Sequence, residues 1–512
     1  MIGYGETNVM TKKNPRVLIV TPEITYLPTG MGNMANSMSA KAGGLADVSA
    51  SLVAALFKQG ADVHVALPHY RKMFHVDVGD LIDKELHVYQ SHMPGERIHL
   101  AEDRIFYYRD TVYSSYTEDN PRLALVFQRE VINNIIGHVR PDLIHCNDWM
   151  NGLIPAYARR LGIPCLFTVH NIHTHDVTLE RIENIGIDAA GFWKLLYYKR
   201  PPWNYEETRS SNLVDLMASG IFAAHYINSV SPTFLREVVD GRHSFVPDSI
   251  RHEMAGKFHA GCADGILNAP DDSYNPETDD ALPVPYGAGN HPEGKRAAKL
   301  KLQAKLSLDS NENATIFFWP SRLDPNQKGC QLLADILYRA VDTYWNRNVQ
   351  FVFVANGQYQ RVFHDIVNFH GIHNRVAVTD FNERISRLAY AASDFMLMPS
   401  LFEPCGLPQM ISAIYGSLPV VRNCGGLHDT VEPLNLATGT GNGFRFDDYD
   451  AAALSWAIDE AMRFRKQPAD VRAEVVGRVM RESQARFNHH VCAKAYIRLY
   501  ERMLQRPLVN EE

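Results

Sequence analysis

Short apolar segments that end in polar residues, each followed by a helical stretch, recur along the chain and narrow its fold more than any other feature. In the first half they are Arg16–Thr21, Asp62–Pro68, Leu143–Cys146 and Cys165–His170. Because these segments are apolar on both faces, they predict buried strands of a parallel sheet covered by helices. Between the first two, the apolar spacing predicts a helix over Leu45–Gln59 that ends at Gly60.

The stretch Asp264–Gly294 interrupts this alternation, because it is rich in Pro, Asp, Asn and Gly. We interpret it as an interdomain connection that lies outside the core. The alternation then restarts, with strands predicted at Thr315–Trp319, Val349–Ala355, Phe395–Pro399 and Pro419–Arg422. Since 512 residues exceed what one core usually serves, two doubly wound α/β domains are expected.

The expected domain limits follow from this pattern. Residues 1–265 form an N-terminal Rossmann-like domain, and residues 266–486 form a C-terminal one. An amphipathic helix is predicted over Val491–Leu504, and we expect the final segment, residues 487–512, to pack back on the N-terminal domain.

Charge and cysteine content exclude several function classes. A net charge of −7 disfavours binding to nucleic acid or to an acidic membrane surface. No apolar run reaches the length that spans a bilayer, and the polar segment Met1–Pro15 lacks a signal-peptide core. Seven cysteines without a C-x-x-C pair favour a reduced, cytoplasmic chain.

A glycine pair follows the first predicted strand and opens a helix. Gly43 and Gly44 would let a ligand approach the backbone, Lys41 adds a positive charge, and the helix N-terminus offers N–H groups. An isolated Gly-Gly is more often a plain turn. The segment Asn423–Asp429 repeats the Gly-Gly-Leu-x-Asp pattern in the second half.

Charged residues also follow two strands of the second half. Arg322 and Lys328 lie on the loop after Trp319, where two cations can bind a diphosphate. Glu403 precedes a glycine turn and a helix that starts at Pro408, where a carboxylate can bind sugar hydroxyls. Taken singly, Arg322 and Lys328 are more often solvated loop residues, and Glu403 could be an acid at a helix start that merely complements the helix dipole.

Polar residues end two strands of the first half. Asp148 and Trp149 follow one strand, and His170 and Asn171 follow the next. Because ligands gather at the carboxyl ends of parallel strands, these residues are candidates for a site. Each alone is more often a hydrogen-bonded structural residue.

Taken together and in this order, the motifs resemble the bacterial glycogen synthases and plant starch synthases that use ADP-glucose. The resemblance runs from about Arg16 to Leu504, through KAGGLADV, HCNDW, TVHN, SVSPTF, GILNAP, SRLDPNQKG, PSLFEPCGLPQ and NCGGLHDTV. It implies an α/β protein of the GT-B fold, with two facing Rossmann-like domains and an interdomain cleft. It also implies a retaining glucosyltransferase that extends the non-reducing end of an α-1,4-glucan without a metal or other cofactor.

The resemblance also implies residue roles. The N-terminal, acceptor-side domain would contribute donor contacts from Lys41, Gly43, Gly44 and Asp47, with His170 near the transferred glucose and Asp148 beside the acceptor. Arg322 and Lys328 would bind the diphosphate, and Glu403 would hold glucosyl hydroxyls. The remaining donor contacts would come from Asn268, from Phe381 stacked on adenine, and from the turn Cys405, Gly406 and Leu407.

The chain departs from the family pattern at four places: the long segment Ile24–Ala40, one extra residue between Arg322 and Lys328, Thr174-His175, and Ala269-Pro270. Three alternatives stay open apart from these departures. One is a GT-B enzyme that uses UDP-glucose or another acceptor, and another is a catalytically silent glucan-binding protein. The third, a dinucleotide-dependent oxidoreductase, is disfavoured because the glycine loops lack the G-x-G-x-x-G spacing.

Overall fold

The computed structural model describes residues 14–32, 35, 38–74 and 97–509. The strands are β1 Arg16–Val20, β2 Asp62–Pro68, β3 Ile98–Ala101, β4 Leu143–Asn147, β5 Cys165–Val169, β6 Asp176–Thr178, β7 Leu213–Asp215, β8 Tyr226–Ser229, β9 Ala263–Gly265, β10 Thr315–Trp319, β11 Val349–Val354, β12 Val376–Thr379, β13 Phe395–Met398, β14 Leu418–Arg422 and β15 Phe444–Phe446.

The α-helices are α1 Gly44–Lys58, α2 Arg104–Tyr107, α3 Asn120–Glu130, α4 Ile136–Val139, α5 Ile154–Arg160, α6 Leu179–Asn184, α7 Tyr205–Ser211, α8 Leu216–Ala223, α9 Pro232–Val239, α10 Asp248–His259, α11 His291–Lys305, α12 Cys330–Thr343, α13 Gln360–His370, α14 Glu383–Ala392, α15 Pro408–Ile414, α16 Gly425–Thr430, α17 Ala451–Arg465, α18 Ala469–Arg486 and α19 His489–Leu504. A π-helical segment, Val131–Ile135, joins α3 to α4.

The predicted strands and the first helix are all present, with ends that move by no more than one residue. The strands that sequence analysis missed include β3, β12 and β15, which are short and lie at or near the sheet edges. The last helix starts at His489, two residues before its predicted start at Val491.

The two large sheets have the same strand order. The first runs β3-β2-β1-β4-β5-β8-β9 and the second β12-β11-β10-β13-β14-β15. In both, the central pairs are parallel, as in β1 with β2 and β4, and in β10 with β11 and β13. Numbered within each sheet, this is the doubly wound order 3-2-1-4-5, so the prediction of two Rossmann-like domains is confirmed.

The chain divides into two compact units that do not follow the sequence strictly. The first contains residues 1–228, 244–264 and 493–512, and the second contains residues 229–243 and 265–492. Within the first unit, Tyr500 and Tyr496 of α19 make hydrogen bonds to His145 (2.7 Å) and Asn228 (2.8 Å). Sequence continuity gave no sign that residues 229–243 group with the second unit.

The stretch Asp264–Gly294 corrects one prediction. It has no helix or strand from residue 266 to 290, yet Leu282 and Tyr286 lie in a core cluster of the second unit. The Tyr286 hydroxyl donates to the carbonyl of Tyr415 at 2.8 Å. The interpretation as a connection outside the core was therefore wrong, because two apolar side chains among the polar ones suffice to bury an irregular segment.

Candidate functional site

Both units place several candidate residues at the point where the strand order reverses, whereas His170, Asn268 and Phe381 follow other strands. Chain connections leave β1 and β4 in opposite directions, as they do from β10 and β13, which opens a crevice at the carboxyl ends of these strands. The loops after β1 and β4 carry the glycine pair and Asp148, and the loops after β10 and β13 carry the two cations and Glu403. Ligands of doubly wound sheets bind at this point.

The first glycine loop, residues 41–44, leads into α1. Lys41 Nζ lies 2.8 Å from a carboxylate oxygen of Asp47, and the two side chains are 48% and 21% exposed. Among the described residues, a β-carbon on Gly43 would meet nothing within 4 Å. The structure thus brings Lys41 and Asp47 together next to Gly44, the first residue of the helix.

Glu23 is a residue of this loop's surroundings that sequence analysis missed. Its Oε2 accepts hydrogen bonds from the backbone N–H groups of Ala42 (2.7 Å) and Gly43 (2.9 Å). Two N–H groups of the loop are therefore already occupied, contrary to the expectation of free donors there. An acidic residue two positions after the polar end of β1 was the available signal.

Asp148 and His170 also lie together. Asp148 has a φ of 56°, and its Oδ1 accepts the backbone N–H of His170 at 2.8 Å while its Oδ2 accepts from Asn171 Nδ2 at 2.7 Å. Burial raises the pKa of Asp148 to about 7, against the effect of these N–H donors. A positive φ at a non-glycine residue costs free energy and is typical of functional sites.

His170 is held as a neutral ring. Burial lowers its pKa to about 3. Its Nε2 lies 2.9 Å from Asn147 Oδ1, and since Asn147 Nδ2 donates to the Val20 carbonyl, Oδ1 is the acceptor and Nε2 carries the proton. The Nδ1 atom is then unprotonated and can accept a hydrogen bond from a ligand hydroxyl.

In the second unit, Lys328 and Glu403 form a buried ion pair. Lys328 Nζ lies 2.5 Å from Glu403 Oε2, and the two residues are 9% and 6% exposed. Ser400 Oγ donates to the same oxygen at 3.2 Å. Arg322 is exposed, and in the described part of the chain it has no ion-pair or hydrogen-bond partner. One cation is thus fixed and the other is free to meet an anion.

The turn after Glu403 is held by hydrogen bonds from the side chain of Gln409. Gly406 has a φ of +73°, and Gln409 Nε2 donates to the carbonyls of Cys405 (3.0 Å) and Gly406 (2.9 Å). Asn268 Oδ1 is buried without a hydrogen-bond partner among the described residues. Leu407 immediately precedes α15.

Phe381 and the loop of Arg322 are joined by Asn356, a second residue that sequence analysis missed. Phe381 is 56% exposed, and its backbone N–H donates to Asn356 Oδ1 at 2.9 Å. The carbonyl of Asn356 accepts the N–H of Leu323, next to Arg322, at 2.9 Å. Asn356 therefore ties the predicted adenine contact to the predicted diphosphate loop.

The second glycine loop, residues 424–426, lies against the Glu403 turn. Gly426 N–H donates to the Glu403 carbonyl at 2.9 Å, and Gly425 N–H donates to Glu237 Oε1 at 3.0 Å. A β-carbon on Gly426 would lie 2.0 Å from the carbonyl oxygen of Cys405. This element packs closely against the backbone of the Glu403 turn, so a β-carbon at Gly425 or Gly426 would overlap it.

The Thr174-His175 pair, one of the departures from the family pattern, makes contacts within the first unit. Thr174 Oγ1 donates to Asp215 at 2.6 Å and accepts the Met217 N–H at 3.1 Å, while the His175 ring packs on Trp149 with centroids 4.4 Å apart. These contacts fix the segment after His170 locally.

The described residues hold neither a metal-binding group of side chains nor a membrane-spanning helix. The residues that the structure describes contain no group of three or more His, Cys, Asp and Glu side chains arranged to hold a metal ion. Among the same residues, no helix combines the length and apolar character needed to cross a membrane.

Family models match both units of this arrangement. Residues 16–249 match the Starch synthase catalytic domain, and residues 314–464 match Glycosyl transferases group 1. The fold and these matches define a glycosyltransferase, as the sequence predicted.

Relatives narrow the class. The glycogen synthase of Exiguobacterium sibiricum is 34% identical over 82% of this chain and 88% of its own, and that of Moorella thermoacetica is 32% identical over 96% and 97%. The catalytic domain of Starch Synthase IV from Arabidopsis thaliana, bound to ADP and acarbose, shares the fold with a TM-score of 0.75 at 24% identity, covering 96% of this chain and all of its own. The chain belongs to the glycogen synthase family.

Proposed function

We propose that the protein transfers glucose from ADP-glucose to the non-reducing end of an α-1,4-glucan and retains the anomeric configuration. The observation that carries this proposal is the buried Lys328–Glu403 pair at the strand-order reversal of the second unit. The pair holds a fixed cation beside a carboxylate that can accept sugar hydroxyls, which suits departure of a nucleoside diphosphate from glucose. The names of the relatives and the ADP in the starch synthase structure support this donor.

The carboxylate has one oxygen left for the sugar. Glu403 Oε2 receives Lys328 and Ser400, so Oε1 is the atom that would accept glucosyl hydroxyls. Lys328 Nζ, held at 2.5 Å, and the exposed Arg322 guanidinium would neutralise the charge that develops on the departing diphosphate. Positive charge fixed before the reaction needs no reorganisation when the C1–O bond breaks.

Transfer then proceeds on one face of the glucose. In this mechanism the bond between C1 and the phosphate oxygen breaks, the acceptor oxygen bonds to C1 on the same face, and the departing phosphate oxygen takes the acceptor's proton. His170 Nδ1 would accept a hydroxyl of the transferred glucose, and Asp148 would lie beside the acceptor. The first glycine loop would contact the donor through Lys41 and Gly44.

We also propose a cytoplasmic location. The seven cysteines are free, and six of them are buried, as expected of a chain kept in a reducing compartment. Cys146 and Cys165 lie with sulfurs 4.0 Å apart and are not bonded.

Labelled glucose transfer tests the function directly. The purified protein is incubated with ADP-glucose or UDP-glucose carrying a radioactive glucosyl group, with and without glycogen and with and without EDTA. We expect glycogen-dependent incorporation from ADP-glucose that EDTA does not reduce. The label should be released by an exo-acting α-1,4-glucan hydrolase, which reports both the linkage and its end of the chain.

Two results would contradict the proposal. Faster transfer from UDP-glucose at equal concentration would assign a different donor. Loss of activity in EDTA that Mg²⁺ restores would show that the two cations do not by themselves stabilise the leaving diphosphate.

A further inference from the structure

The first glycine loop is fastened to the segment that follows β1. Ile24 and Ala40 exchange backbone hydrogen bonds of 3.0 and 2.7 Å, and the next two donors, Ala42 and Gly43, both bond to Glu23 Oε2. The loop is thus held by two backbone contacts and by one side chain. Of these, only the side chain acts on the two residues that precede α1.

Glu23 holds the first glycine loop through a carboxylate whose burial costs free energy. It is 2% exposed, and the described residues provide it with no ion-pair partner. Besides the two N–H groups, Oε1 accepts the Tyr113 hydroxyl at 3.3 Å. Burial raises the pKa of Glu23 despite these donors. Burying a carboxylate costs free energy, which its hydrogen bonds offset while they hold the donor groups in a fixed position.

We propose that Glu23 is a positioning residue for the sugar-nucleotide donor. By accepting the N–H groups of Ala42 and Gly43, it sets the direction of the first glycine loop, so that Lys41 and the N–H of Gly44 face the donor. This inference rests on the proposed function, because the donor is what the loop is oriented to meet.

The arrangement also decides which loop atoms can bind the donor. The N–H groups of Ala42 and Gly43 point at Glu23 and are withdrawn from the site. Gly44, at the first position of a 15-residue helix, keeps its N–H free of any partner in the described part of the chain. The carboxylate therefore occupies the N–H groups of Ala42 and Gly43 and leaves the N–H of Gly44 and the side chain of Lys41 for the donor.

Three variants separate positioning from stability. Glu23→Ala removes the anchor, whereas Glu23→Gln keeps an oxygen for both N–H groups and can donate its amide to Tyr113. Asp103→Ala is the matched control, because Asp103 also accepts a backbone N–H (Ile105, 2.8 Å) in the first unit and contacts no part of the loop. Glu23→Asp, which is one methylene too short to reach both donors, serves if the alanine variant does not fold.

We expect Glu23→Ala to lower kcat/KM for ADP-glucose between about tenfold and a hundredfold, mainly through the donor KM, because small misplacements of binding groups have effects of this size. Glu23→Gln should stay within about threefold of wild type, since a neutral oxygen still accepts both N–H groups. Asp103→Ala should lower Tm without changing the donor KM. A wild-type donor KM in Glu23→Ala, or an equally poor Glu23→Gln, would overturn the proposal.

Amide hydrogen exchange measures the hydrogen bonds from Ala42 and Gly43 to Glu23 in the absence of the donor. The amides of Ala42 and Gly43 should exchange faster in Glu23→Ala than in wild type and be unchanged in Asp103→Ala. Unchanged exchange at both amides would overturn the anchoring contact. If wild type shows no transfer from ADP-glucose while exchange responds as expected, the proposed function fails and the anchoring of the loop stands.

Discussion

The two Gly-Gly-Leu-x-Asp segments have the same residue pattern and different structures. In the first glycine loop, a β-carbon on Gly43 would meet nothing within 4 Å, and Asp47 pairs with a half-exposed lysine. In the second glycine loop, β-carbons on Gly425 and Gly426 would lie 2.1 and 2.0 Å from the carbonyl oxygens of Glu403 and Cys405. Among the described residues a β-carbon fits at Gly43, whereas the close approach of the chain itself requires glycine at Gly425 and Gly426.

The acids near the two loops differ in the same sense. Glu23 and Asp148 are buried in the first unit with N–H and hydroxyl donors but without a cation, among the described residues. Glu403 in the second unit has Lys328 at 2.5 Å. The lesson is that a repeated motif locates two strand ends reliably, whereas the contacts around each copy decide which one faces a ligand.

The largest effect is expected at Glu403, the acid that the second loop supports. Glu403→Ala should lower kcat by about 10²–10³, because Lys328 loses its partner and no longer holds a fixed position at the diphosphate. Glu403→Gln should be less impaired, since its amide oxygen still accepts from Lys328. Steady-state kinetics with ADP-glucose and glycogen measure both.

Cys405→Ser is the control for that experiment, because it alters the next buried side chain of the same turn while keeping the backbone N–H. Its activity should remain close to wild type. A dead serine variant beside an active Glu403→Ala would reverse the assignment of this turn.

The uncompensated acid of the first unit predicts a pH dependence of stability. Burial raises the pKa of Asp148 to about 7 in the folded state, so the folded protein holds this proton more tightly than the unfolded chain. Stability from this group is therefore present at low pH and is lost as pH rises between the ordinary aspartate pKa and about 7, by about 1.4 kcal/mol per pH unit. Asp148→Asn should thus become progressively more stable than wild type over this window, measured by urea denaturation.

Asp103→Asn gives the opposite sign and serves as the control. Burial opposes ionisation of Asp103, but the Ile105 N–H and Arg129 outweigh it and lower its pKa. Its contribution is therefore present above the ordinary aspartate pKa and is lost on acidification, so the asparagine variant should lose most relative to wild type at neutral pH. Parallel pH curves for the two variants would contradict the assigned shift at Asp148.

Sequence alone predicted the two sheets and most of the candidate side chains, because wholly apolar strands and polar residues at strand ends are local signals. It could not predict strand order, so it could not show that Asp148 and Glu403 flank the two reversal points. Glu23 and Asn356 were missed for a related reason. Their contacts are made with the backbone N–H groups of residues 42, 43 and 381, which carry no mark in the sequence.

The polar stretch before α11 was misinterpreted because composition averages over residues. Asp264–Gly294 is polar overall, but Leu282 and Tyr286 are 7% and 1% exposed, and the Tyr415 hydroxyl donates to buried Asp279. The roles of the candidate residues toward a donor stay predictions, and the variants described here are the means to test them.

Alanine substitutions in the two glycine loops should have different effects on stability. Gly426→Ala should lose about 1–3 kcal/mol of unfolding free energy, because the new methyl group overlaps the Cys405 carbonyl and the turn must move. Activity should fall with it, since that turn carries Glu403. Gly43→Ala has an extended backbone (φ −154°, ψ −165°) that alanine adopts freely, so its stability should change by less than about 0.5 kcal/mol. Equal stability losses would end the distinction.

The smallest expected difference lies at the two aspartates that end the motifs. Asp429 accepts from Ser231 Oγ, from Thr233 N–H (3.1 Å) and from Thr233 Oγ1 (2.6 Å), and so fixes the start of α9. Asp429→Ala should cost about 1–3 kcal/mol, because a buried donor is left unsatisfied, while kcat of the folded fraction stays near wild type.

Asp47→Ala should have the reverse pattern, with little loss of stability and a weaker interaction with the donor. Its half-exposed pair with Lys41 contributes less than about 1 kcal/mol to stability, since solvent screens it. Without Asp47, however, Lys41 loses the contact that holds its ammonium beside the first glycine loop, and the donor KM should rise. Urea denaturation and donor kinetics on both variants give four numbers, and the two loops have different functions only if stability falls in one variant and donor affinity in the other.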